Sequence, residues 1–306
     1  MVRDGYVAQV QLLVRILPIV AEETVFALKG GTAINLFYRD LPRLSVDIDL
    51  TYLPVKDRVE SLAEIDAAMT RIAAAIQGSV PGVRVQRNSG GDISGTRILA
   101  RFGNTGIKIE TSPVSRGVVH TPEVREIREI VQDQFGYAEI QVVSFEDLFG
   151  GKLHAAVDRQ HPRDLFDVKL LYENEGLTNA LFRTFLVYVA SSSRPLHELL
   201  DPHLIDLDKP YLREFSGMTR EHVDLEELLA TRSRLSADIR ARLDAGAAKF
   251  LLSLHDAEPD FFAIGLPQSA KLPAVRWKLK NLERLIEENP AKHAAQREAL
   301  QRLLAG

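Results

Sequence analysis

The chain has 306 residues, enough to bury a full core and to form two domains. It contains no cysteine, which excludes a disulfide framework, a thiolate zinc site and a cysteine nucleophile, and which fits a reducing cytoplasm. Hydrophobic residues make up 45% and charged residues 26%, which is ordinary for a globular protein. The net charge is −4, so the chain is not a polycation and any nucleic-acid surface must be a local patch.

The N-terminal segment predicts an amphipathic helix over residues 5–20, with apolar side chains at helical spacing. Asp4 and the polar residues Gln9 and Gln11 interrupt the apolar pattern, which argues against a signal peptide. No apolar run in the chain approaches the length that crosses a bilayer. We therefore expect a cytoplasmic protein without a membrane partner.

A strand, a glycine turn and a short helix follow this segment. ETVFALKGG predicts a strand that runs into Gly30 and Gly31, and TAINLFYR predicts a helix that Thr32 can cap. LSVDIDLTYL alternates between apolar and polar residues, which is typical of a half-buried strand with Asp47 and Asp49 on its polar face.

The remaining elements divide the chain into two parts. A helix is predicted over 57–77, followed by the strands VRVQR, TRILARF, GIKIETS and EIQVVS, with a hairpin turn at Asn104-Thr105-Gly106. Beyond Ser144 the pattern predicts helices at 145–159, 163–175, 178–192, 221–244 and 276–304, with a break at Pro290 and an irregular connector at 194–218. The chain is thus predicted to have an α/β domain over 1–144 and a helical domain over 145–306.

Asp47 and Asp49 are the first candidates for chemistry. Side chains two apart on a strand lie within about 7 Å on one face, and two such carboxylates repel unless a cation neutralises them. Oxygen ligands favour Mg²⁺ or Mn²⁺, the metals that support phosphoryl and nucleotidyl transfer. Gly30 and Gly31 would let backbone amides approach a triphosphate at the start of a helix. A two-metal site would need a third acid, for which the strand GIKIETS offers Glu110.

Each of these features alone has a simpler explanation. Most glycine pairs are plain turns, and an Asp-x-Asp strand is more often a solvent-facing surface. The ordered combination favours function: a glycine pair, a short helix, Arg43, Ser45, the two aspartates and then the strand with Lys108 and Glu110.

A second group of polar residues occurs in SFEDLFGGKLHAAVDRQHPRDLFDV. Lys152 follows Gly150-Gly151 inside a predicted helix, where glycines cost roughly 1 kcal/mol each, so we expect close packing against another backbone there. Asp164 and Asp167 share one face of the next helix. A salt bridge from Asp164 to Lys152 would serve the fold even without catalysis.

KGGTAINL…RLSVDIDL followed by FGGKLHAAVDRQHPRDLFDV resembles the AbiEii/AbiGii group of nucleotidyltransferase toxins, which includes the mycobacterial MenT toxins. These are the toxin halves of type IV-like toxin–antitoxin or abortive-infection systems. The resemblance covers residues 24–175. It implies an α/β (α+β) nucleotidyltransferase core with a mixed sheet, related to DNA polymerase β, followed by a helical domain.

The resemblance also implies an active site to which both domains contribute. The residues it assigns are Gly30, Gly31 and Thr32 as the nucleotide-binding turn, Arg43 and Ser45 near the nucleotide, Asp47 and Asp49 as the metal pair, Glu110 as a looser metal match, Lys152 on the triphosphate, and Arg163, Asp164 and Asp167 as the closing motif. Of the last two, we favour Asp167 as the acid that reaches the site.

The implied activity is Mg²⁺-dependent transfer of a nucleotide from an NTP to RNA, with the tRNA 3′ end as the expected acceptor and translation blocked as the result. The family also implies a cognate antitoxin, which need not bind the toxin directly. Residues 84–128 carry eight Arg or Lys against four acids, which permits an RNA surface. Trp277 could stack on a base, although we prefer a core position for it.

Other functions stay open on the sequence. The acceptor could be a small molecule or a protein hydroxyl such as Ser45. A nucleotide-binding module without turnover is a third possibility, which the intact Asp47 and Asp49 argue against. A purely helical interaction protein would leave the first half unexplained.

Overall fold

A computed structural model describes residues 2–87 and 96–305, and its chain forms two compact units. The first unit comprises residues 1–144 with 219–221, and the second comprises 145–218 with 222–306. Asp92, one of the four acids counted against the basic residues of 84–128, lies outside the described residues.

The first unit is built on one mixed sheet of seven strands, as far as the described residues show. The strands are β1 Phe26–Lys29, β2 Ile48–Tyr52, β3 Val83–Arg87, β4 Arg97–Phe102, β5 Thr105–Thr111, β6 Glu123–Glu126 and β7 Glu139–Val142. Their order across the sheet is β3-β4-β5-β2-β1-β7-β6. The pairs β2–β5 and β1–β7 are parallel, and the other neighbours are antiparallel.

Helices make up the rest of the structure. They are α1 Val2–Ala21, α2 Gly30–Ala33, α3 Arg58–Ser79 and α4 Glu129–Phe135 in the first unit, and α5 Phe145–Asp158, α6 Pro162–Asn174, α7 Asn179–Ala190, α8 Leu196–Leu200, α9 Asp208–Glu214, α10 Leu225–Ala241, α11 Ala245–His255, α12 Pro273–Glu288 and α13 Pro290–Ala305 in the second. A π-helical turn, Ile34–Tyr38, extends α2. In the described part of the chain, no helix is both long and apolar enough to cross a membrane.

Alternation of apolar and polar residues explains the centre of the sheet. On β5, Ile107 and Ile109 are buried, whereas Lys108 and Glu110 lie half-buried on the opposite face, as predicted. β1 is apolar and buried up to Lys29, because it lies between two neighbours in the middle of the sheet. The polar groups of the first unit are therefore concentrated at the ends and on one face of its central strands.

Several sequence predictions about elements were wrong. β2 begins at Ile48, so Asp47 immediately precedes the strand instead of lying within it. The hairpin between β4 and β5 turns at Gly103-Asn104, where Gly103 has φ +57°, because Phe102 pairs directly with Thr105. β6 and α4 were not predicted, since three of the four residues of β6 are charged, and its one apolar residue, Val124, is exposed.

The second unit also differs in part from the prediction. The segment 194–218, predicted as irregular, contains the short helices α8 and α9. The break at Pro290 is confirmed, because α12 ends just before it and α13 begins there. Trp277, which we expected in the core, is 58% exposed, whereas Lys278 beside it is buried.

The glycine pair inside α5 allows close helix packing, as predicted. A Cβ built on Gly150 would lie 3.2 Å from Thr184 Cγ2 and from Tyr188 Cδ2, and 3.3 Å from the backbone nitrogen of Phe185. A side chain at this position would therefore force α5 and α7 apart.

Candidate active site

The glycine turn after β1 leaves no room for a side chain at either glycine. Gly30 has φ +76°, and a Cβ there would lie 2.5 Å from Asp49 Oδ2. A Cβ on Gly31 would lie 2.6 Å from Ser45 Oγ and 2.7 Å from Arg43 Nη2. The two glycines thus bring the turn against three of the predicted site residues, which is the close backbone approach that glycine permits.

Thr32 connects this turn to the first aspartate. Its buried hydroxyl donates a hydrogen bond of 2.6 Å to the backbone carbonyl of Asp47 and lies 3.3 Å from Ser45 Oγ. Because the bond goes to the main chain, it positions the segment that carries Asp47 while leaving the carboxylate available.

Arg43 is buried and ties the loop before β2 to the helical turn after Gly31. Its Nη1 donates to the Leu44 carbonyl at 2.8 Å, and its backbone nitrogen donates to Asn35 Oδ1 at 3.3 Å. Asn35 in turn donates through Nδ2 to the Gly31 carbonyl at 2.7 Å. Arg43 therefore holds the loop against the glycine turn, a geometric role that the sequence did not indicate.

Asp49 lies at the centre of the sheet between two charged register partners. On one side it is opposite Lys29 of β1, and on the other it is opposite Glu110 of β5. Burial raises the pKa of the Asp49 carboxyl, the charge of Lys29 opposes this rise, and the negative charges of Asp47 and Glu110 add to it. Burial likewise lowers the pKa of Lys29, against the charges of Asp49 and Glu110.

Lys108 lies between two of the acids. Its Nζ is 3.1 Å from Glu110 Oε1 and 3.6 Å from Asp47 Oδ2. Burial lowers the pKa of Lys108, but the hydrogen bond to Glu110 and the charge of Asp47 raise it by more. Glu110 also pairs with Arg97 at 3.0 Å, so two bases already neutralise it.

A cavity opens beside Asp47 and Lys108. Its volume is about 630 Å³, and Arg101 and Gln9 are among the residues that line it. Ligand cavities of about 300–1,000 Å³ enclose small organic molecules, so this one is large enough for a nucleotide.

The carboxylates fit a divalent metal that arrives with its substrate. In the described residues, no group of three or more His, Asp or Glu side chains could hold a metal ion alone. Mg²⁺, however, is commonly bound by one or two carboxylates together with substrate phosphates. Burial, together with the charges of Asp47 and Glu110, raises the pKa of Asp49, and a bound cation would favour its ionised form. Metal ligation by Asp47 and Asp49, with Glu110 as a third ligand, stays a prediction.

The second unit holds its own polar cluster, formed by α5 and α6. Lys152 Nζ lies 2.7 Å from Asp164 Oδ1 and 2.9 Å from Asp167 Oδ2, and all three residues are buried. Arg159 makes two further hydrogen bonds to Asp164, of 2.5 and 3.0 Å. The predicted salt bridge between Lys152 and Asp164 is therefore confirmed.

Two positive charges stabilise the ionised form of Asp164. Burial alone would raise the pKa of its carboxyl, but the charges of Lys152 and Arg159 and their hydrogen bonds lower it far below its usual value. Arg163 is half-buried at the start of α6, where its backbone nitrogen donates to His161 Nδ1 at 3.1 Å. Contribution of this cluster to one active site with Asp47 and Asp49 stays a prediction.

Sequence reasoning missed three contributors to these clusters. Lys29 follows three apolar strand residues and directly precedes the glycine pair. This position in the sequence could have indicated that its charge lies near the glycine turn. Arg159 is five residues before Asp164, across a helix boundary, so helical spacing could not relate them. Asn35 lies in the π-helical turn, whose geometry the sequence pattern did not indicate.

Replacement of Gly30 by alanine tests the close approach to Asp49. Both Gly30 and Gly176 have similar positive φ angles, +76° and +74°, but a Cβ at Gly176 meets nothing within 4 Å. Gly176→Ala should lower the free energy of unfolding by about 1 kcal/mol through backbone strain. Gly30→Ala should lower it by about 1–3 kcal/mol more, because Asp49 must move. Urea denaturation measures both, and equal losses would contradict the constraint.

Asp164→Asn tests the buried cluster of the second unit. Removing one partner of a buried ion pair costs about 3–5 kcal/mol, so this variant should be strongly destabilised at pH 7. Because the folded pKa of Asp164 lies below the unfolded value of about 3.9, the wild-type advantage is complete above that pH and shrinks as the pH falls further. Urea denaturation between pH 7 and pH 3 measures it.

The control for this experiment is Asp158→Asn. Asp158 pairs with Arg194 at 2.9 Å, and its side chain is 35% exposed, so its loss should cost under about 1 kcal/mol. A loss for Asp164→Asn no larger than for this control would show that the cluster contributes little to stability.

Comparison with known proteins places the chain in a family. Residues 11–281 match the model of the nucleotidyl transferase AbiEii toxin family of type IV toxin–antitoxin systems. No curated protein matches the chain. The fold is similar to that of MenT4, a nucleotidyltransferase toxin from Mycobacterium tuberculosis H37Rv, with a TM-score of 0.59 and 18% identity over 92% of each chain. This likeness confirms the predicted α/β fold with a mixed sheet, and the family match shows that the chain belongs to the AbiEii nucleotidyltransferase toxins.

Proposed function

We propose that the chain transfers a nucleoside monophosphate from an NTP to an RNA acceptor, with the tRNA 3′ end as the expected target. The observation that carries this proposal is the glycine turn packed against Asp49, with Asp47 held beside it through Thr32. A nucleotidyltransferase needs backbone amides that a phosphate group can contact, and it needs them next to paired carboxylates. The AbiEii family supports the reaction class.

The residues of the first unit have separate roles in this proposal. Asp47 and Asp49 hold Mg²⁺ or Mn²⁺, and the amides after Gly30 and Gly31 receive the triphosphate. A metal held by Asp47 and Asp49 would neutralise phosphate charge. In the transfer, the acceptor hydroxyl oxygen bonds to the α-phosphorus and its proton passes to solvent, while the bond from the α-phosphorus to pyrophosphate breaks. Lys29, on the neighbouring strand, opposes the rise in the pKa of Asp49. Lys108 lies 3.6 Å from Asp47 and would have to move if Asp47 bound a metal.

Lys152 contacts the triphosphate in this proposal, and Asp164 and Asp167 position Lys152. The contacts within the second unit favour positioning over proton transfer, because both carboxylates already bind the Lys152 ammonium. Arg163 is half-buried at the start of α6, the helix that carries Asp164 and Asp167. In this proposal it contacts the nucleotide phosphates together with Lys152.

Two exposed arginines of the first unit support an RNA acceptor. Five of the eight basic residues counted in 84–128 form ion pairs with acids, which reduces the patch that the sequence indicated. Arg84 and Arg101, however, lie opposite each other on β3 and β4, are exposed, and have no ion pair within the described ranges. Since Arg101 also lines the cavity beside Asp47, this pair supports a polyanionic acceptor such as RNA.

A protein hydroxyl is the second candidate acceptor, because Ser45 Oγ lies directly against the glycine turn. We also propose that the chain acts in the cytoplasm and that a cognate antitoxin limits its activity without necessarily binding it, a setting that membership of a toxin–antitoxin family supports.

Transfer of labelled nucleotide tests the proposed function. The purified chain should label total tRNA when incubated with Mg²⁺ and one of the four α-labelled NTPs, and EDTA should abolish the labelling. Asp49→Asn should reduce the labelling rate by about 100-fold or more, because a metal ligand is lost. Asp66→Asn, which alters an exposed acid paired with Arg87, should leave the rate unchanged.

Separation of the labelled products on a gel distinguishes the possible acceptors. Label on the protein, lost in Ser45→Ala, would move the acceptor to a side chain. No label on tRNA or protein with any NTP, or equal labelling by Asp49→Asn, would contradict the proposal.

A further inference from the structure

A small polar pocket lies in the second unit, apart from the clusters described above. Its volume is about 240 Å³. We call it the α12–α13 pocket. The polar residues that line it are Ser193, His255, Lys278, Asn281, Lys292 and Gln296.

Lys278 supplies a buried positive charge to this pocket. It is only 5% exposed, and its Nζ donates to the backbone carbonyl of Arg194. Within the described ranges it has no ion-pair partner. Burial lowers the pKa of Lys278 to about 8, although the charge of Glu198 opposes this, so the ammonium is still mostly charged at neutral pH. Burial of an ammonium without a carboxylate is unfavourable, and a bound anion would compensate for it.

The other donors of the pocket are likewise available. The side chains of Lys292, Asn281 and Gln296 make no hydrogen bond or ion pair in the part of the chain that the structure describes, although Lys292 donates through its backbone to Asn289. They and Lys278 belong to α12 and α13, which pack against each other. Two ammonium groups and two amides thus line one small cavity.

The acids near the pocket are already paired with arginines. Glu198 lies 3.5 Å from Arg194, and Asp256 makes two hydrogen bonds to Arg297, of 2.8 and 2.9 Å. Within the described residues, neither carboxylate forms an ion pair with Lys278, although the charge of Glu198 raises its pKa, and no acid is among the residues that line the pocket.

A histidine pair holds the wall of the pocket in place. His255 donates through Nε2 to the carbonyl of His293 at 3.0 Å, and His293 donates in return to the carbonyl of His255 at 3.0 Å. Their rings stack with centroids 4.2 Å apart. These bonds join α11 to α13 directly beside Lys292.

We propose that the α12–α13 pocket binds a single phosphate group. Pockets for drug-sized ligands have volumes of about 300–1,000 Å³, so a cavity of about 240 Å³ suits one phosphate better than a whole nucleotide. Two ammonium groups give a phosphate strong, charge-assisted hydrogen bonds, and the amides add neutral ones. The proposal goes beyond the transferase reaction and does not depend on it, since the whole pocket lies in the second unit.

Binding of inorganic phosphate tests this site by isothermal titration calorimetry, against chloride at matched ionic strength. The wild type should bind phosphate saturably. Lys278→Met and Lys292→Gln should each weaken binding by about tenfold, because each removes one charge-assisted contact. Lys280→Gln, which alters an exposed lysine on α12 outside the pocket, should bind as the wild type does.

Folding of the variants is checked by circular dichroism. If Lys278→Met does not fold, Lys292→Gln still decides the question, since Lys292 is exposed at the rim. Absence of saturable phosphate binding, or equal binding by Lys292→Gln and Lys280→Gln, would overturn the proposal.

A competition arm identifies the source of the phosphate. A single-stranded oligoribonucleotide that displaces phosphate from the wild type and from Lys280→Gln, but binds less tightly to Lys292→Gln, would support a phosphodiester backbone. Phosphate binding that the oligoribonucleotide does not affect would support a free anion. Both results support the pocket, and neither depends on nucleotidyl transfer.

Discussion

The charge balance around Asp49 is the constraint on which the first unit depends. This carboxylate lies at the centre of a seven-stranded sheet, between Lys29 and Glu110 as register partners and beside Asp47. Burial and the neighbouring acids raise its pKa, and Lys29 limits that rise. The strand register therefore also sets the electrostatics of the site. A shift of β1 or β5 by one residue would move Lys29 or Glu110 away from Asp49 and turn that charged side chain toward the core.

The sequence predicted the features that depend on local patterns. Alternation placed Ile107 and Ile109 in the core and Lys108 and Glu110 outside, and the glycines in α5 were correctly related to close helix packing. It could not predict contacts between elements distant in sequence. The contact of Arg43 with the glycine turn depends on a loop conformation. Trp277 is exposed and its neighbour Lys278 is buried, since one residue along a helix rotates the side-chain direction by about 100°.

The two units carry different kinds of polar cluster. In the first unit, a cavity of about 630 Å³ beside Asp47 and Lys108 leaves space for a ligand. In the second, Lys152 is already satisfied by Asp164 and Asp167, so the cluster is complete without a substrate and stabilises α5 against α6. Loss of Lys152 would therefore affect stability as well as the proposed phosphate contact, so a test of that contact needs activity and stability to be measured separately on the same variant.

Metal binding between Asp47 and Asp49 is the central claim, and anomalous diffraction tests it most directly. Crystals of the wild type and of Asp49→Asn would be grown with Mn²⁺ and a non-hydrolysable NTP analogue. We expect an anomalous peak in the wild type within about 2.0–2.3 Å of oxygen atoms from both carboxylates and from the triphosphate, and loss of that peak in the variant. A peak elsewhere, or nucleotide bound without metal at these aspartates, would contradict the proposed site.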